Sequence, residues 1–275
     1  MYILIILHKL YLPSSLLLVY TSGDDPAWFS DCLSSIVEQS VLPDDIVLIL
    51  NSSELLPSHS CILDPLKHHI NLFCIHNIQS FSTALNIGLS RCKYDIVFRF
   101  DPDDIIINNR FQVQYRFILE NPLVDICGSY AYSFVSSNEI TLISPPQSHS
   151  DITKQIYLNP LIHPSVCFRR SRLMLLQNYR LLPRAQDYDL WLRAYAHNFT
   201  FANIPIPLIK YRLPSQASKK TFSSCFIQSC ILLRNILKFQ LPTWWIVFSL
   251  LFLFKPLFPF TLWRRLKNFY ERTLS

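Results

Sequence analysis

The chain contains 275 residues, half of them apolar, and carries a formal net charge of +6 at neutral pH. This length suits one large domain with or without an appendage, and the positive mean hydropathy favours contact with a membrane. The sequence contains no basic stripe interleaved with aromatic residues and no zinc-finger spacing, which argues against a nucleic-acid partner.

The chain begins with the apolar stretch MYILIILHKLYLP. This stretch is too short to span a bilayer, and no small-residue cleavage site follows it, so we expect no secretory signal. The eight cysteines form no CxxC pair and lie mostly in apolar stretches. They predict reduced thiols of a cytosolic protein.

Predicted strands and helices then alternate along the chain. The strands are SLLLVY, DDIVLIL, INLFCIH and YDIVFRF, and the helices are AWFSDCLSSIVEQS, FSTALNIGLSRC and NNRFQVQYRFILEN. Almost continuously apolar strands are typical of a parallel sheet that is covered on both faces. The sequence therefore predicts an α/β fold with a mostly parallel central sheet flanked by helices. In such sheets, ligands bind beyond the carboxyl ends of the strands.

Three carboxylates follow the fourth predicted strand directly, in the stretch RFDPDD. Asp101, Asp103 and Asp104 repel one another by about 1 kcal/mol per close exposed pair, so a positive partner is expected. A divalent cation prefers oxygen ligands and is the natural partner. The alternative is that Asp101 or Asp103 only caps the next helix, although one cap needs one carboxylate. The pattern favours a functional cluster at the ligand-binding edge of the sheet.

The second half of the chain is less regular. Residues 128–150 are polar and predict irregular structure, and DITKQIYLNPLIHPSVCFRRSRLMLL predicts a helix, a turn, a short strand and another helix. The stretch QDYDLWLRAYAHN predicts a helix with Leu190, Trp191 and Ala194 facing inward. The stretch FTFANIPIPLIKYRL predicts a pair of strands broken by prolines.

The segment from residue 221 to residue 275 differs in kind. CFIQSCILLRNILKF predicts an amphipathic helix, and WWIVFSLLFLF is shorter than the roughly 20 apolar residues of a bilayer span. We expect a helical segment that lies on the membrane, with Trp244, Trp245 and Trp263 at headgroup level and the basic tail LWRRLKNFYER toward anionic lipid. The alternative is a helix that packs on the soluble domain.

Five stretches occur in one order over about residues 15–220. They are SLLLVYTSGDDPAWFSDCLSSIVEQSVLPDDIVLIL, STALNIGLSRCKYDIVFRFDPDD, NRFQVQYRFILENPLVDICGS, NPLIHPSVCFRRS and QDYDLWLRAYAHNFTFANIPIPLIKYRL. As an ordered set they resemble family 2 glycosyltransferases of bacterial polysaccharide and lipooligosaccharide synthesis. The resemblance implies a GT-A nucleotide-binding domain over residues 1–220 and a helical, membrane-associating segment over residues 221–275.

The resemblance also assigns roles to the three carboxylates. Asp101 and Asp103 match the DxD element of the family, in which the first carboxylate lies near the nucleotide ribose. The last carboxylate of that element, here Asp103, ligates a divalent metal that bridges the diphosphate, and Asp104 is an auxiliary carboxylate. The implied cofactor is Mn²⁺ or Mg²⁺, which neutralises the charge that develops on a departing nucleoside diphosphate.

Further site residues come from the same resemblance. Asp187 in QDYD matches the family's general base, whereas without the resemblance a helix N-cap is the simpler interpretation. His163 in HPS matches a position near the metal and the diphosphate. Arg212 begins a basic segment that closes over the diphosphate, since Arg suits phosphate oxygens. Tyr20 and Thr21 at the end of the first strand match the pocket for the nucleotide base.

The sequence departs from the family pattern at several positions. Asn51 stands where an Asp usually contacts the nucleobase, although Asn also hydrogen-bonds a base edge. Gln186 replaces the Glu that usually precedes the base. With only three glycines in the whole chain, tight turns must use other residues.

The implied activity is inverting sugar transfer from a nucleotide-diphosphate donor, expected to be UDP-linked. The acceptor is a hydroxyl of a lipid-linked, lipopolysaccharide or capsule glycan, which places the protein peripherally or monotopically on the cytoplasmic face of the inner membrane. A sugar-phosphate nucleotidyltransferase is a second enzyme class, but its phosphate loop would be glycine-rich and basic, whereas TSGDDPAW is acidic. A catalytically impaired membrane scaffold with the GT-A fold stays open because of Asn51 and Gln186.

Overall fold

The structure is a computed structural model, and it describes residues 10–21, 23–51, 55–75, 78, 80–135, 140–213 and 222–254. The strands are β1 (Leu10–Thr21), β2 (Val41–Asn51), β3 (Ile70–Cys74), β4 (Ile96–Phe100), β5 (Ile105–Ile106), β6 (Ile126–Phe134), β7 (Ile140–Ile143), β8 (Cys167–Arg169) and β9 (Phe201–Arg212). The helices are α1 (Pro26–Val37), α2 (Pro57–Leu63), α3 (Phe81–Arg91), α4 (Arg110–Glu120), α5 (His149–Lys154), α6 (Arg170–Leu175), α7 (Gln186–Ala196), α8 (Phe222–Phe239) and α9 (Trp245–Phe254).

The strands form one mixed sheet in the order β3-β2-β1-β4-β8-β6-β9-β5, with β7 paired to β6. The first four positions of that order are joined by parallel pairs, and β6 and β9 are also parallel. Antiparallel pairs enter through β8, β7 and β5. The predicted α/β fold with a mostly parallel sheet flanked by helices is confirmed.

The two faces of the sheet carry two separate hydrophobic cores, as the side-chain alternation of a strand requires. In β1, Leu17 and Val19 face the core beneath α3 and α7, whereas Leu16 and Leu18 face the core beneath α1 and α4. Because both faces of the sheet are buried, the sequences of these strands are almost continuously apolar. Because β1, β2 and β4 run parallel, their carboxyl ends lie at the same edge of the sheet.

Two sequence interpretations of the second half need correction. Residues 128–150 are not irregular throughout, because they contain most of β6 and all of β7. The stretch with the prolines is one strand, β9, rather than a pair. The pairing of β6 with β9 shifts register around Pro207, and such an irregularity accommodates residues that cannot donate to a ladder.

The turns of this glycine-poor chain use other residues, as the composition predicted. Within the described ranges, eight non-glycine residues have positive φ: Asn108, Asn109, Asn159, Gln177, Asn178, Ala185, Asn198 and Gln240. Five of these eight are asparagines, whose short polar side chain tolerates the left-handed region better than most.

The two C-terminal helices pack against the sheet domain. Trp245 and Phe248 are buried in the core beneath α7, and Asn235 of α8 donates to Asp189 of α7 over 3.2 Å. Trp245 does not reach headgroup level, because Tyr157 and Tyr195 enclose its ring. Trp244 is 43% exposed, while Trp263 and the basic tail lie outside the described residues. No helix in the described ranges has the length and apolarity to cross a bilayer.

A network of buried charged side chains connects α7 with the segment that precedes it. The carboxylate of Asp189 is 1% exposed and pairs with Arg193 over 2.7 Å and with Arg180 over 3.0 Å. We expect Asp189→Asn to lower the free energy of unfolding by about 3 kcal/mol, because it leaves the buried guanidinium of Arg193 and the partly buried one of Arg180 without their counter-charge. Urea denaturation measures the change. Glu120→Gln, which removes the exposed pair with Arg116, is the control and should change stability by about 0.5 kcal/mol or less. Equal effects of the two substitutions would contradict the prediction.

Candidate active site

The three carboxylates of the DPDD stretch lie in the turn between β4 and β5. One oxygen from each of Asp101, Asp103 and Asp104 lies within 4.8 Å of the others. The backbone N–H of Asp104 donates to the carbonyl of Asp101 over 3.4 Å, which closes the turn. The cluster therefore occupies the carboxyl end of β4, where the sequence predicted it.

Burial and mutual repulsion set the electrostatics of this turn. Burial, followed by the neighbouring charge of Asp101, raises the pKa of Asp103 to about 6. Burial and both neighbouring carboxylates raise the pKa of Asp104 well above its ordinary value. Oδ1 of Asp104 accepts from the backbone N–H of Arg212 over 2.7 Å, but its buried Oδ2 has no partner among the described residues. An orphaned buried oxygen beside two more carboxylates is a donor set that fits a hard divalent cation.

A cavity of about 350 Å³ opens beside the carboxylate turn. Its walls come from β4, the segment before β8, the start of α7 and the end of β9. Its polar lining residues are Arg99, Asp101, Asn159, His163, Gln186, Asp187 and Tyr211. Asp101 and Asp187, which lie far apart in sequence, thus face one space.

Asp187 lies in the first turn of α7 and lines this cavity. It is not the N-cap, because that position belongs to Ala185, which is in the left-handed conformation and makes no side-chain cap bond. Nδ2 of Asn159 donates to Oδ2 of Asp187 over 3.2 Å. This hydrogen bond engages one carboxylate oxygen and fixes the orientation of the group.

His163 is buried in the wall of the cavity. Its Nε2 lies 2.9 Å from the hydroxyl of Tyr179, and its ring meets Trp191 edge-on. Burial and the nearby charge of Arg99 hold the pKa of His163 well below its ordinary value, so the ring is neutral. The group of metal-competent side chains found in the described ranges contains only the three aspartates, so metal ligation by His163 stays a prediction.

Arg212 lies behind the carboxylate turn. Its Nε donates to the carbonyl of Asp103 over 2.8 Å, and its Nη2 pairs with Asp31 over 3.1 Å. The guanidinium also stacks over the rings of Trp28 and Phe134, at 4.9 and 4.6 Å from their centres. In this arrangement Arg212 supports the turn, and its contact with a diphosphate stays a prediction.

The predicted nucleotide-base residues lie at the same sheet edge as the aspartates. Thr21 pairs with Asn51 in the β1–β2 register, and its N–H donates to Asp24 over 2.6 Å. Oδ1 of Asn51 accepts from the N–H of Ile78 over 3.2 Å. Tyr20 is 6% exposed, and its ring stacks on that of Phe29 with the ring centres 4.1 Å apart, so the ring is buried in the core. Base recognition by these residues stays a prediction.

Sequence reasoning missed three polar residues of the cavity, which are Arg99, Asn159 and Tyr211. Arg99 is a buried cation inside the strand IVFRF, and a charge within such an apolar run is a signal that could have identified it. Asn159 has positive φ and contacts Asp187, but it follows a short 3-10 helix that no sequence pattern revealed. Each lies next to a predicted site residue: Arg99 pairs with Asp101, Asn159 donates to Asp187, and Tyr211 precedes Arg212 in the sequence.

Comparison with known proteins identifies the family to which the chain belongs. The sequence model described as glycosyl transferase family 2 matches residues 19–178, more than half of the chain. A UDP-Gal:alpha-D-GlcNAc-diphosphoundecaprenol beta-1,3-galactosyltransferase of Escherichia coli is 28% identical over 75% of this chain and 76% of its own length. The amylovoran biosynthesis glycosyltransferase AmsE of Erwinia amylovora is 28% identical over 81% of this chain and 84% of its own length.

Solved structures show the same fold. The mannosyltransferase PcManGT from Pyrobaculum calidifontis, in complex with GDP-Man and Mn²⁺, superposes with a TM-score of 0.57 at 12% identity. The superposition covers 88% of this chain and 69% of that one. The GT-A fold inferred from the resemblance is thereby confirmed. The chain is a glycosyltransferase and belongs to glycosyl transferase family 2.

Proposed function

We propose that the protein transfers a sugar from a nucleotide-diphosphate donor to a glycan hydroxyl with inversion at the anomeric carbon. The observation that carries this proposal is the shared cavity: Asp101 of the carboxylate turn and Asp187 of α7 line the same 350 Å³ space. A leaving group held at one carboxylate and an acceptor held at the other would meet across it. The related galactosyltransferase is named for a UDP-Gal donor, which supports a UDP-linked donor here.

The carboxylate turn would hold the divalent ion. Asp103 is the proposed principal ligand, with Asp101 and Asp104 beside it, and Mn²⁺ in the structurally similar mannosyltransferase supports this assignment. When bound, Mn²⁺ or Mg²⁺ neutralises negative charge on the diphosphate. The turn clusters the three carboxylates, with one oxygen of each within 4.8 Å of the others.

Asp187 would act as the general base. Its Oδ2 is engaged by Asn159, which leaves Oδ1 to accept the proton of the acceptor hydroxyl. The acceptor oxygen then forms a bond to the anomeric carbon while the bond from that carbon to the phosphate oxygen breaks. One displacement inverts the anomeric configuration, and the nucleoside diphosphate leaves with the bonding electrons. We assign the nucleobase to the edge formed by Tyr20, Thr21 and Asn51, and the ribose to the neighbourhood of Asp101.

Calorimetric titration tests the proposal most directly. UDP, GDP and CMP are titrated into the protein with and without Mn²⁺ or Mg²⁺. We expect one nucleoside diphosphate to bind tightly, and only with the metal, because the carboxylates alone repel the diphosphate. Absence of binding under every condition would contradict the proposal and favour the scaffold alternative.

Metal-dependent binding should depend on pH near the acidic end of the physiological range. The pKa of Asp103 is raised to about 6, and only the ionised carboxylate ligates a metal. Protons therefore compete with the ion below that value, so nucleotide affinity in the presence of Mn²⁺ should rise as the pH increases through about 6. Titrations across this range measure the dependence, with metal-free titrations as the control. An affinity that stays constant across the range would contradict the prediction.

The acceptor is proposed to be a lipid-linked or polysaccharide glycan. One relative is named for a diphosphoundecaprenol-linked acceptor and another for the biosynthesis of a polysaccharide. Such acceptors would bring the protein to the cytoplasmic face of the inner membrane. We also propose that residues 1–220 form the catalytic unit and that residues 221–275 supply membrane contact, although α8 and α9 share the core of that unit.

Membrane contact is expected to depend on the chain beyond α9. Residues 255–275 contain Trp263 and the basic residues Arg264, Arg265 and Lys267. Their removal should reduce binding to vesicles that contain phosphatidylglycerol, because basic and aromatic residues favour an anionic interface. Cosedimentation measures binding, phosphatidylcholine vesicles are the control, and circular dichroism checks the fold. Unchanged binding would place the membrane contact elsewhere.

A further inference from the structure

Arg99 is a buried cation whose hydrogen-bonding capacity is largely unused. It lies in the centre of the sheet, on β4, and its side chain is 2% exposed. One terminal nitrogen, Nη2, pairs with Asp101. Nε and Nη1 are buried, and neither has a hydrogen-bond partner within the described part of the chain.

Buried N–H groups without acceptors are energetically unfavourable, and a ligand that supplied acceptor oxygens would satisfy them. A guanidinium group has five N–H donors in a fixed plane, and buried donors without partners destabilise the folded state. Other buried arginines of the protein are better supplied: the guanidinium of Arg193, for example, bonds to Asp189 and to the carbonyls of Leu176 and Asn178. Among the described residues, the guanidinium of Arg99 contacts only the carboxylate of Asp101 and the ring of Phe81, whose centre is 5.6 Å away.

The position of Arg99 indicates which part of a ligand it would meet. It lines the cavity together with Asp101 and Asp187, and it is the only Lys or Arg among the described lining residues. If the diphosphate lies at the carboxylate turn and the acceptor at Asp187, the transferred sugar must lie between them. We propose that Arg99 binds hydroxyl groups of the transferred sugar of the donor.

The charge balance of the cavity narrows the class of sugar. Asp101 and Asp187 supply two carboxylates, and Arg99 supplies one guanidinium, which already pairs with Asp101. A sugar carboxylate would therefore meet more negative than positive charge. The excess of carboxylate charge in the cavity favours a neutral hexose or N-acetylhexosamine over a uronic acid as the transferred sugar.

Paired titrations test this inference, which rests on the proposed nucleotide-sugar transfer. UDP and UDP-Gal, UDP and UDP-GlcNAc, and GDP and GDP-Man are titrated with Mn²⁺ into the unaltered protein, Arg99→Gln and Arg99→Lys. For the pair that binds the unaltered protein, Arg99→Gln should weaken the nucleotide-sugar about tenfold or more, as expected for lost hydrogen bonds to a charged group. The affinity for the free nucleoside diphosphate should change less than about threefold, and Arg99→Lys should lie between.

The outcomes separate this inference from the proposed function. If the unaltered protein binds none of the five compounds, the proposed function fails. If it binds them and Arg99→Gln weakens both members of a pair equally, or neither, the sugar contact is overturned, and an equal loss would mean that Arg99 acts through Asp101. Arg116→Gln on the exposed face of α4 is the control and should change neither affinity.

If Arg99→Gln does not fold, single deoxy analogues of the sugar are titrated into the unaltered protein and Arg99→Lys. Analogues that bind both proteins alike would contradict the proposal.

Discussion

Replacing Asp103 with Asn is expected to abolish metal-dependent nucleotide binding. The substitution keeps the size of the side chain but removes the charge that a divalent cation requires. Affinity for the nucleoside diphosphate in the presence of Mn²⁺ should fall at least a hundredfold, to about the affinity seen without metal. Calorimetric titration at pH 7.5, above the raised pKa of Asp103, measures the loss.

Controls separate this effect from a general disturbance of the turn. Glu120→Gln removes an exposed carboxylate at the end of α4 and should leave nucleotide binding unchanged. Thermal denaturation of Asp103→Asn should show a folded protein, because removal of one charge relieves repulsion within the cluster. Undiminished metal-dependent binding by Asp103→Asn would remove the central assignment of the carboxylate turn.

Replacing Asp187 with Asn is expected to spare binding and to reduce turnover. The amide is as large as the carboxylate but cannot accept the acceptor proton, so kcat should fall by about 10²-fold to 10⁴-fold. Metal-dependent affinity for the nucleotide should stay within about threefold, since the carboxylate turn is untouched. Release of nucleoside diphosphate from the donor, with a glycan acceptor present, measures kcat.

The separation of binding from turnover identifies the role of Asp187. If its carboxylate is the base, Asp187→Asn should lower kcat while the affinity for the nucleotide is retained. Glu120→Gln is again the control. A variant that retains full turnover would transfer the role of base to another residue, and equal losses of affinity and kcat would indicate a structural role.

Much of the fold could be predicted because its determinants are local. The strand SLLLVY is apolar throughout because Leu17 and Leu18 face opposite buried cores, and this pattern is visible without knowledge of the partner strands. The stretch with Pro205 and Pro207 was predicted as two strands but forms one, because a register shift between β6 and β9 accommodates prolines that would otherwise interrupt a strand. That accommodation depends on the partner strand, which lies more than sixty residues away in sequence.

The candidate site was predictable in its composition but not in its contacts. The DPDD turn is recognisable in the sequence because three carboxylates follow the end of a strand. In the structure, one oxygen from each of them lies within 4.8 Å of the others. The link between Asn159 and Asp187 spans 28 residues and arises only when the segment before β8 packs against α7. Arg212 shows the same limit, since its pairing with Asp31 joins the two ends of the domain.

The left-handed turns of this glycine-poor chain have a practical consequence for thermostability. Gln240 follows α8 with a φ of 52°, and Gln177 follows α6 with a φ of 60°. Glycine is the residue that helices favour at such ends, and a side chain there costs about 1 kcal/mol or more. Neither glutamine lines the described cavity. Glycine substitutions at these two positions therefore offer a route to a more heat-resistant enzyme that leaves the groups assigned to chemistry in place.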